Sequence, residues 1–503
     1  MAVVGALVAV TAAAWFSARA QGYAFRMSVG SATTGPPIPR DFLGLAVEFN
    51  TVPKLAGATP ATVNPVFVQL LRNLDPTGQP IIRVGGQSTD RTWWPVRGMT
   101  RPYGVTYNLW PGWTAAARSL AQATKARLIL GVNLEANRLR ISQVEGSELV
   151  RGVGRGNIEA LEIGNEPDLY PLLPWYRQLN SKPIAWYSKS GGPVYSRRPT
   201  YGPQEFAQEF SRTVRVLPRL AIAGPETGST PWMSAFTGFL SPRSQVSMLT
   251  SHAYGLDQCI TDPTSLQYPS VPNLLNTANS RGLAAGVGPY VSLVHRDGGT
   301  YRIDEMGSVS CNGRPGVSNT FASALWLMDS LFEIASQGID GVNLHTYPNS
   351  ANGLFDFTRS RGHWAAVVHP IYYGALMFEQ AAPAGSRPLR ITSGSQSRLR
   401  AWATLGPDRR IRVLLINDNV RSSAQTHVRV AGGVGAGAVE RLGAPSPYAT
   451  AGISVGGASF GAETATGVLP TPVPEAVTAS AGAYTVTLPA GSAALLTVSR
   501  RRG

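Results

Sequence analysis

Cysteine, histidine and lysine are nearly missing: 503 residues include two cysteines, six histidines and four lysines. Two cysteines exclude the disulfide scaffold of a small secreted module, where cysteine exceeds about 8–10%. The few histidines show no finger or cage spacing, so neither a metal nor a cofactor is expected. Lysine is confined to Lys54, Lys125, Lys182 and Lys189, so arginine carries the formal net charge of +15. No long basic run or RNA-binding motif accompanies that charge, which argues against nucleic acid as a partner. The charge remains open to two readings: a surface that steers acidic polymers, or an arginine-favouring composition. After Ala20 no apolar run is long enough to span a bilayer. The opening Met1–Ala20 is apolar and ends in Ala18-Arg19-Ala20, small residues at −3 and −1. It reads as a secretory signal, although no Lys or Arg precedes Arg19. The expected product is secreted or envelope-associated, without stable membrane insertion after cleavage, and a monomer.

What the chain does have is the balance of a large-cored globular protein, 43% hydrophobic and 15% charged. Eight short apolar runs recur at wide spacing, each ending in polar or glycine residues. They cover 42–50, 81–87, 126–134, 158–166, 220–226, 246–254, 300–307 and 341–347. Helical periodicity fills the intervals, as in 114–124, 202–216 and 319–337. Eight strands alternating with helices predict an α/β fold, a (β/α)8 barrel with functional residues at the carboxyl ends of its strands. A doubly wound open sheet is the second reading, but its phosphate loop would follow a strand. Gly152-Val153-Gly154-Arg155-Gly156 precedes one instead. After Gln380 helical periodicity stops, and 398–405, 410–417, 426–430 and 484–488 alternate as strands, predicting an antiparallel β-sandwich. The expected organisation is a signal at 1–20, a strand-bearing segment at 21–40, a barrel at 41–382 and a sandwich at 383–503.

Two of the barrel runs end in acids. Asn157–Tyr170 begins as a buried strand, then Gly164 removes a side chain, Asn165 and Glu166 present an amide beside a carboxylate, and Pro167 stops the strand. Much later, Tyr301–Gly307 ends in Glu305 followed by Met306-Gly307. Two carboxylates on separate strand ends are what glycoside hydrolysis needs, one to protonate the leaving oxygen and one to attack or stabilise the anomeric carbon. The two cysteines, Cys259 and Cys311, follow the sixth and seventh strands and so should occupy neighbouring loops. In a secreted chain that predicts a disulfide at the rim; two free thiols are the alternative.

Asn165-Glu166-Pro167 resembles the acid/base motif of the clan of retaining (β/α)8 glycosidases. The stretch from Asp304 to His345, with Glu305-Met306-Gly307-Ser308, Ser318-Asn319-Thr320-Phe321-Ala322 and Ala324-Leu325-Trp326, resembles glycoside hydrolase family 79, the β-glucuronidases and heparanases. The resemblance runs from about Phe42 to the C-terminal region. It implies Glu166 as acid/base and Glu305 as nucleophile, and a sandwich that also takes in the N-terminal strand at 23–29. It places Glu48 and Asn50 on sugar hydroxyls, Gly86 and Gln87 where the backbone nears the ring, and Asn165 on the 2-hydroxyl. Tyr254 would orient Glu305, whereas His252 and His345 would tie barrel walls together. Family members grip a uronate carboxylate with amides after the nucleophile and a Tyr after the last strand. Here Asn312 and Gly313, with Ser310 and Cys311, could supply the amides. Asn352 stands nearest the Tyr position, so Tyr347 is the candidate phenol. Trp93, Trp94, Trp110 and Trp113 suit either sugar stacking or loop packing. The implied function is a retaining β-glucuronidase whose carbohydrate substrate is a glucuronic-acid-containing glycoside or glycan, cleaved by double displacement. The alternatives are a retaining hydrolase of a neutral sugar (β-glucoside, β-xyloside or α-L-arabinofuranoside) and a non-catalytic carbohydrate-binding barrel.

Overall fold

The computed structural model describes residues 23–500 except 77, 180, 181, 186–190, 237, 239–244 and 394–397. The expected signal at 1–20 lies outside them. Eight parallel strands close into a barrel: β1 Leu43–Glu48, β2 Ile81–Gly85, β3 Arg127–Val132, β4 Ile158–Ile163, β5 Ile222–Thr227, β6 Val246–Leu256, β7 Thr300–Val309 and β8 Gly341–His345. Each strand pairs with its sequence neighbour, and β8 pairs with β1. The strands read as continuous apolar runs because a parallel barrel strand is covered on both faces. β2 and β5 are buried along their whole length.

Among the described residues, seven helices of ten residues or more surround the barrel: α1 Pro65–Leu74, α2 Pro111–Thr124, α3 Leu139–Val153, α4 Pro203–Val216, α5 Thr277–Arg296, α6 Phe321–Ser336 and α7 Pro370–Ala381. Between β5 and β6 the described residues hold a 3₁₀ turn at Thr230–Ala235 instead of an α-helix. α1, α2, α4 and α7 all open on proline, whose fixed φ suits the first helical position and whose missing N–H is not needed there. Asn64 caps α1 by accepting from the Val66 and Phe67 N–H groups. α6 and α7 are buried on nearly every face, with barrel strands on one side and the second domain on the other.

The remainder forms a ten-stranded sheet. The N-terminal strand Tyr23–Thr33 lies inside it, antiparallel to Arg387–Ser393 and parallel to Ala424–Val430. The sheet is therefore antiparallel save for that one pairing. Met27 and Val29 point into a second core with Val413, Val428, Val439, Val486 and Leu496, so strands from both ends of the sheet share one interior. The Gly/Ala-rich piece at 431–461 contributes the strand Gly433–Gly443.

Candidate active site

The residues that end β4 bend the chain across the barrel mouth. Glu166 has φ +47°, and its N–H donates to the Glu226 carbonyl on β5 at 2.7 Å. Glu305, within β7, is 6% exposed, whereas the Glu166 side chain is 19% exposed. His252 of β6 stands between them, its Nδ1 3.0 Å from Glu166 Oε1 and 3.8 Å from Glu305 Oε1. One oxygen of each carboxylate lies within 4.8 Å of the other.

Buried Arg83 of β2 sets the field around Glu305. Its Nη1 donates to Glu305 Oε2 at 2.7 Å, its Nε to Glu162 at 2.6 Å and its Nη2 to Glu226 and to Asn165 Oδ1. On the other side of Glu305, the Tyr254 hydroxyl donates to Oε1 at 2.6 Å, and His345 Nδ1 lies 3.2 Å away. Burial pushes the Glu305 carboxyl up, but the charges of His252 and His345, the His345 hydrogen bond and Arg83 outweigh it and hold it well below the usual carboxylate range. Burial also works against charge on the two histidines. Glu305 and the other carboxylates win, raising His252 well above its ordinary value and His345 to about 9. The tyrosine expected beside Glu305 is there. The two histidines, expected to tie barrel walls together, bridge acids on different strands beside the carboxylate pair: His252 spans Glu166 and Glu226, and His345 spans Glu48 and Glu305.

Glu48, at the end of β1, accepts from the Ser88 N–H at 2.9 Å and lies 3.3 Å from His345 Nε2. Gly86 packs over it with φ +72°, and a Cβ there would come 2.3 Å from Glu48 Oε1, so glycine is required. Gln87 lines the cleft beside Glu166 with Asn165, Tyr170 and Trp175. Asn165 has its N–H on Asp90 at 2.9 Å and its carbonyl on Arg83, which leaves its Nδ2 group for a ligand. Asn50 is not brought to this group: the turn that buries Phe49 against Trp113 leaves it exposed. Packing also takes Trp113, fully buried with its indole N–H on the Phe49 carbonyl, and Trp93, bonded to Asn108. Trp110 stays 42% exposed.

The loop after β7 turns through Cys311, Asn312 and Gly313 at φ +53°, +76° and +78°. It is locked to the loop after β8: the Tyr347 hydroxyl donates to Asn312 Oδ1, and the Ala351 N–H to the Asn312 carbonyl. Asn352 has a structural task there. It accepts from the Ser308 hydroxyl at 2.7 Å and donates to the Val309 carbonyl at 2.7 Å, and a Cβ on Gly313 would meet its backbone N at 2.8 Å. The expected Cys259–Cys311 disulfide is not formed in this structure: both thiols are free and exposed, with the side chains in contact across the two loops. Burial first, then Cys259, pushes the Cys311 thiol up to about 11.

Sequence reading passed over Arg83, Glu162, Glu226 and Asp304, all fully buried. Their signal was present as single charges inside apolar strands, Ile-Ile-Arg-Val and Ala-Leu-Glu-Ile, which burial tolerates only with partners. Among the described residues, two groups could offer a metal three donor atoms, Glu166–His252–Glu305 and Glu226–His252–Asp304. Both depend on His252, whose nitrogens each already lie 3.0–3.2 Å from a carboxylate, a spacing that suits a proton.

A closed (β/α)8 barrel with a carboxylate beyond the fourth strand and another in the seventh offers the paired acids that glycoside hydrolysis uses. The profile of the Glycosyl hydrolase family 79 C-terminal beta domain matches residues 401–495. An Aspergillus niger protein named beta-glucuronidase is 25% identical over 352 residues, 62% of this chain and 59% of its own length. A Neurospora crassa protein of the same name is 23% identical over 444 residues, 78% of this chain and 75% of its own. Among solved structures, a 4-O-alpha-L-rhamnosyl-beta-D-glucuronidase from Fusarium oxysporum superposes with TM-score 0.68 at 20% identity, covering 93% of this chain and 100% of that one. A family 51 arabinofuranosidase from Xanthomonas axonopodis reaches 0.65 at 14% identity, with 94% and 99% covered. The match thus spans about three fifths of the A. niger relative. The chain is similar to glycoside hydrolase family 79 in its C-terminal domain, and to proteins named beta-glucuronidase over 62% and 78% of its length.

Proposed function

We propose that this protein is a retaining glycoside hydrolase acting on β-glucuronides by double displacement. The observation that carries the mechanism is the approach of the Glu166 and Glu305 oxygens to within 4.8 Å. Retaining enzymes hold their carboxyl groups about 5–5.5 Å apart, whereas inverting ones leave about 6.5–9.5 Å for a water. Glu305, kept ionised by its cationic neighbours, is the nucleophile: its free electron pair bonds to the anomeric carbon as Glu166 gives its proton to the departing oxygen. Glu166 then takes a proton from water, which displaces Glu305 and releases the sugar. The Asn165 amide donates to the 2-hydroxyl, and Glu48 accepts from another hydroxyl.

The glucuronide preference rests on the two relatives' names and on the loop after β7. A uronate carboxylate needs donors in a dry pocket. Among the described residues, no acceptor is taken by the Cys311 and Asn312 N–H groups, and the Tyr347 phenol is tied to the same loop. The net charge of +15 favours approach of acidic glycans. The apolar Met1–Ala20 supports export, and in an oxidising compartment Cys259 and Cys311 would pair.

A panel of chromogenic glycosides tests the reading. The β-glucuronide should be hydrolysed with retention and in preference to the β-glucoside, β-xyloside and α-L-arabinofuranoside. Glu166→Ala should lose about 10²–10⁴-fold on poor leaving groups and be rescued by azide. Glu305→Ala should not turn over at all. Equal rates on glucuronide and glucoside would sink the carboxylate pocket, and inversion would sink the retaining mechanism.

A further inference from the structure

Behind Glu305 the strand ends carry more acid than their cations can balance. Glu162 of β4, Glu226 of β5, and Asp304 and Glu305 of β7 are between 0% and 6% exposed. Two of them are inserted against strand alternation. In the β6–β7 ladder Ser251 faces Ile303 and His252 faces Glu305, so Asp304 is the extra residue of a bulge. In the β5–β6 ladder Pro225 faces Thr250 and Thr227 faces Ser251, which leaves out Glu226 at φ +62°. The cations facing this group are Arg83, His252 and, against Glu305 alone, His345, which is shared with the Glu48 carboxylate. Glu166 and Tyr254 adjoin Glu305 from the mouth, and Tyr301 and Arg302, the latter paired with Asp41, flank Asp304 along β7. With Glu48 counted, five carboxylates against three cations would leave two uncompensated charges, which a dry interior does not sustain.

The arms of Arg83 show which acid stands apart. They reach Glu162, Glu226 and Glu305 at 2.5–2.7 Å, but Asp304 comes no closer than 3.9 Å, and His252 Nε2 is 4.0 Å from it. Asp304 is instead in hydrogen-bond contact with Glu162 and Glu226. Among the described residues, no N–H or O–H donor reaches either Asp304 oxygen, Glu162 Oε1 or Glu226 Oε1, so a hydrogen on one of the acids themselves is what joins them.

We propose that Asp304 is held as a neutral carboxylic acid bridging Glu162 and Glu226, a positioning residue that keeps the two clamps on Arg83, and so Arg83 on the nucleophile, in place. The electrostatics of the cluster agree with the geometry. Burial first, then Glu226 and Glu162, pushes Asp304 well above the carboxylate range, and burial lifts Glu162 to about 8. With protons on both, Arg83, His252 and His345 face Glu226, Glu305 and Glu48, and the charges balance.

The activity arm of the test rests on the proposed nucleophile; the spectroscopic arm does not. Infrared spectra of the intact enzyme at neutral pH should show protonated carboxyl stretches that shift in D₂O, one component of which is lost in Asp304→Asn. Asp304→Leu should lower kcat about tenfold or more with KM little changed, because Asp304 does not touch substrate. Asp304→Asn, neutral and still a donor, should recover most of that loss. Absence of the Asp304 component overturns the proposal, as does an Asn variant no better than Leu or a stoichiometric metal ion in the purified enzyme. If the enzyme proves inactive on every glycoside, the infrared result still decides the protonation state.

Discussion

Glu305 stays ionised because three cations and a phenol surround a carboxyl that burial alone would neutralise. His345 is the neighbour most open to test, since it bonds Glu305 at one ring nitrogen and approaches Glu48 with the other. With its own pKa near 9 it is cationic throughout the acidic and neutral range. Removing a cation makes a neighbouring carboxylate easier to protonate, so Glu305 should titrate higher in His345→Gln. The acidic limb of kcat/KM should therefore move to higher pH, by roughly one unit. A pH–rate profile in which that limb stays put, or moves down, would show that His345 does not hold the Glu305 charge.

At the scale of elements, specificity is assigned to two loops that sequence separates by some forty residues. The loop after β7 is shaped by left-handed residues and pinned from the β8 side by Tyr347, Ala351 and Asn352. From the β6 side its neighbour is Cys259, against Cys311. A covalent link there would hold the amides proposed to grip a uronate. Reduction, or Cys311→Ser, should then lower glucuronide hydrolysis more than hydrolysis of a neutral glycoside. Equal loss on both substrates, or a full count of free thiols in enzyme purified under oxidising conditions, would remove the bridge from the account.

The whole molecule is bound together by one apolar cluster that ignores the domain boundary. It runs from barrel residues such as Phe378 and Leu331 into Leu414, Ile416, Leu442, Val455, Phe460 and Leu495 of the sheet domain. Trp402 stacks on Phe332 at 5.4 Å and bonds Asp329, while the chain enters the sheet domain first, through Tyr23–Thr33, and returns to it last. Helices α6 and α7, apolar nearly all round, would expose that surface if the sheet were removed. Calorimetry should accordingly find a single unfolding transition, and a fragment of residues 41–382 should not stay soluble. Two resolved transitions would mean that the domains fold independently.

The eight apolar runs marked the barrel strands because a strand covered on both faces must be apolar throughout, a local property that composition carries directly. The carboxylates Glu166 and Glu305 were legible for a related reason: an acid at the end of such a run, beside glycine or proline, breaks a pattern. The boundary at Gln380 was visible as a change of period from helix to strand. What no local pattern could carry is the meeting of Arg83, Glu162, Glu226, His252, Asp304 and His345, which come from six strands spread over more than 260 residues. Bulges aimed two of those acids inward, and barrel closure decided which charges face one another. That closure made His252 and His345 neighbours of the carboxylate pair, turned Asn352 into a lock for a loop, and left Asn50 outside. Pairing between distant charges depends on distances through space, and those exist only once the chain is closed.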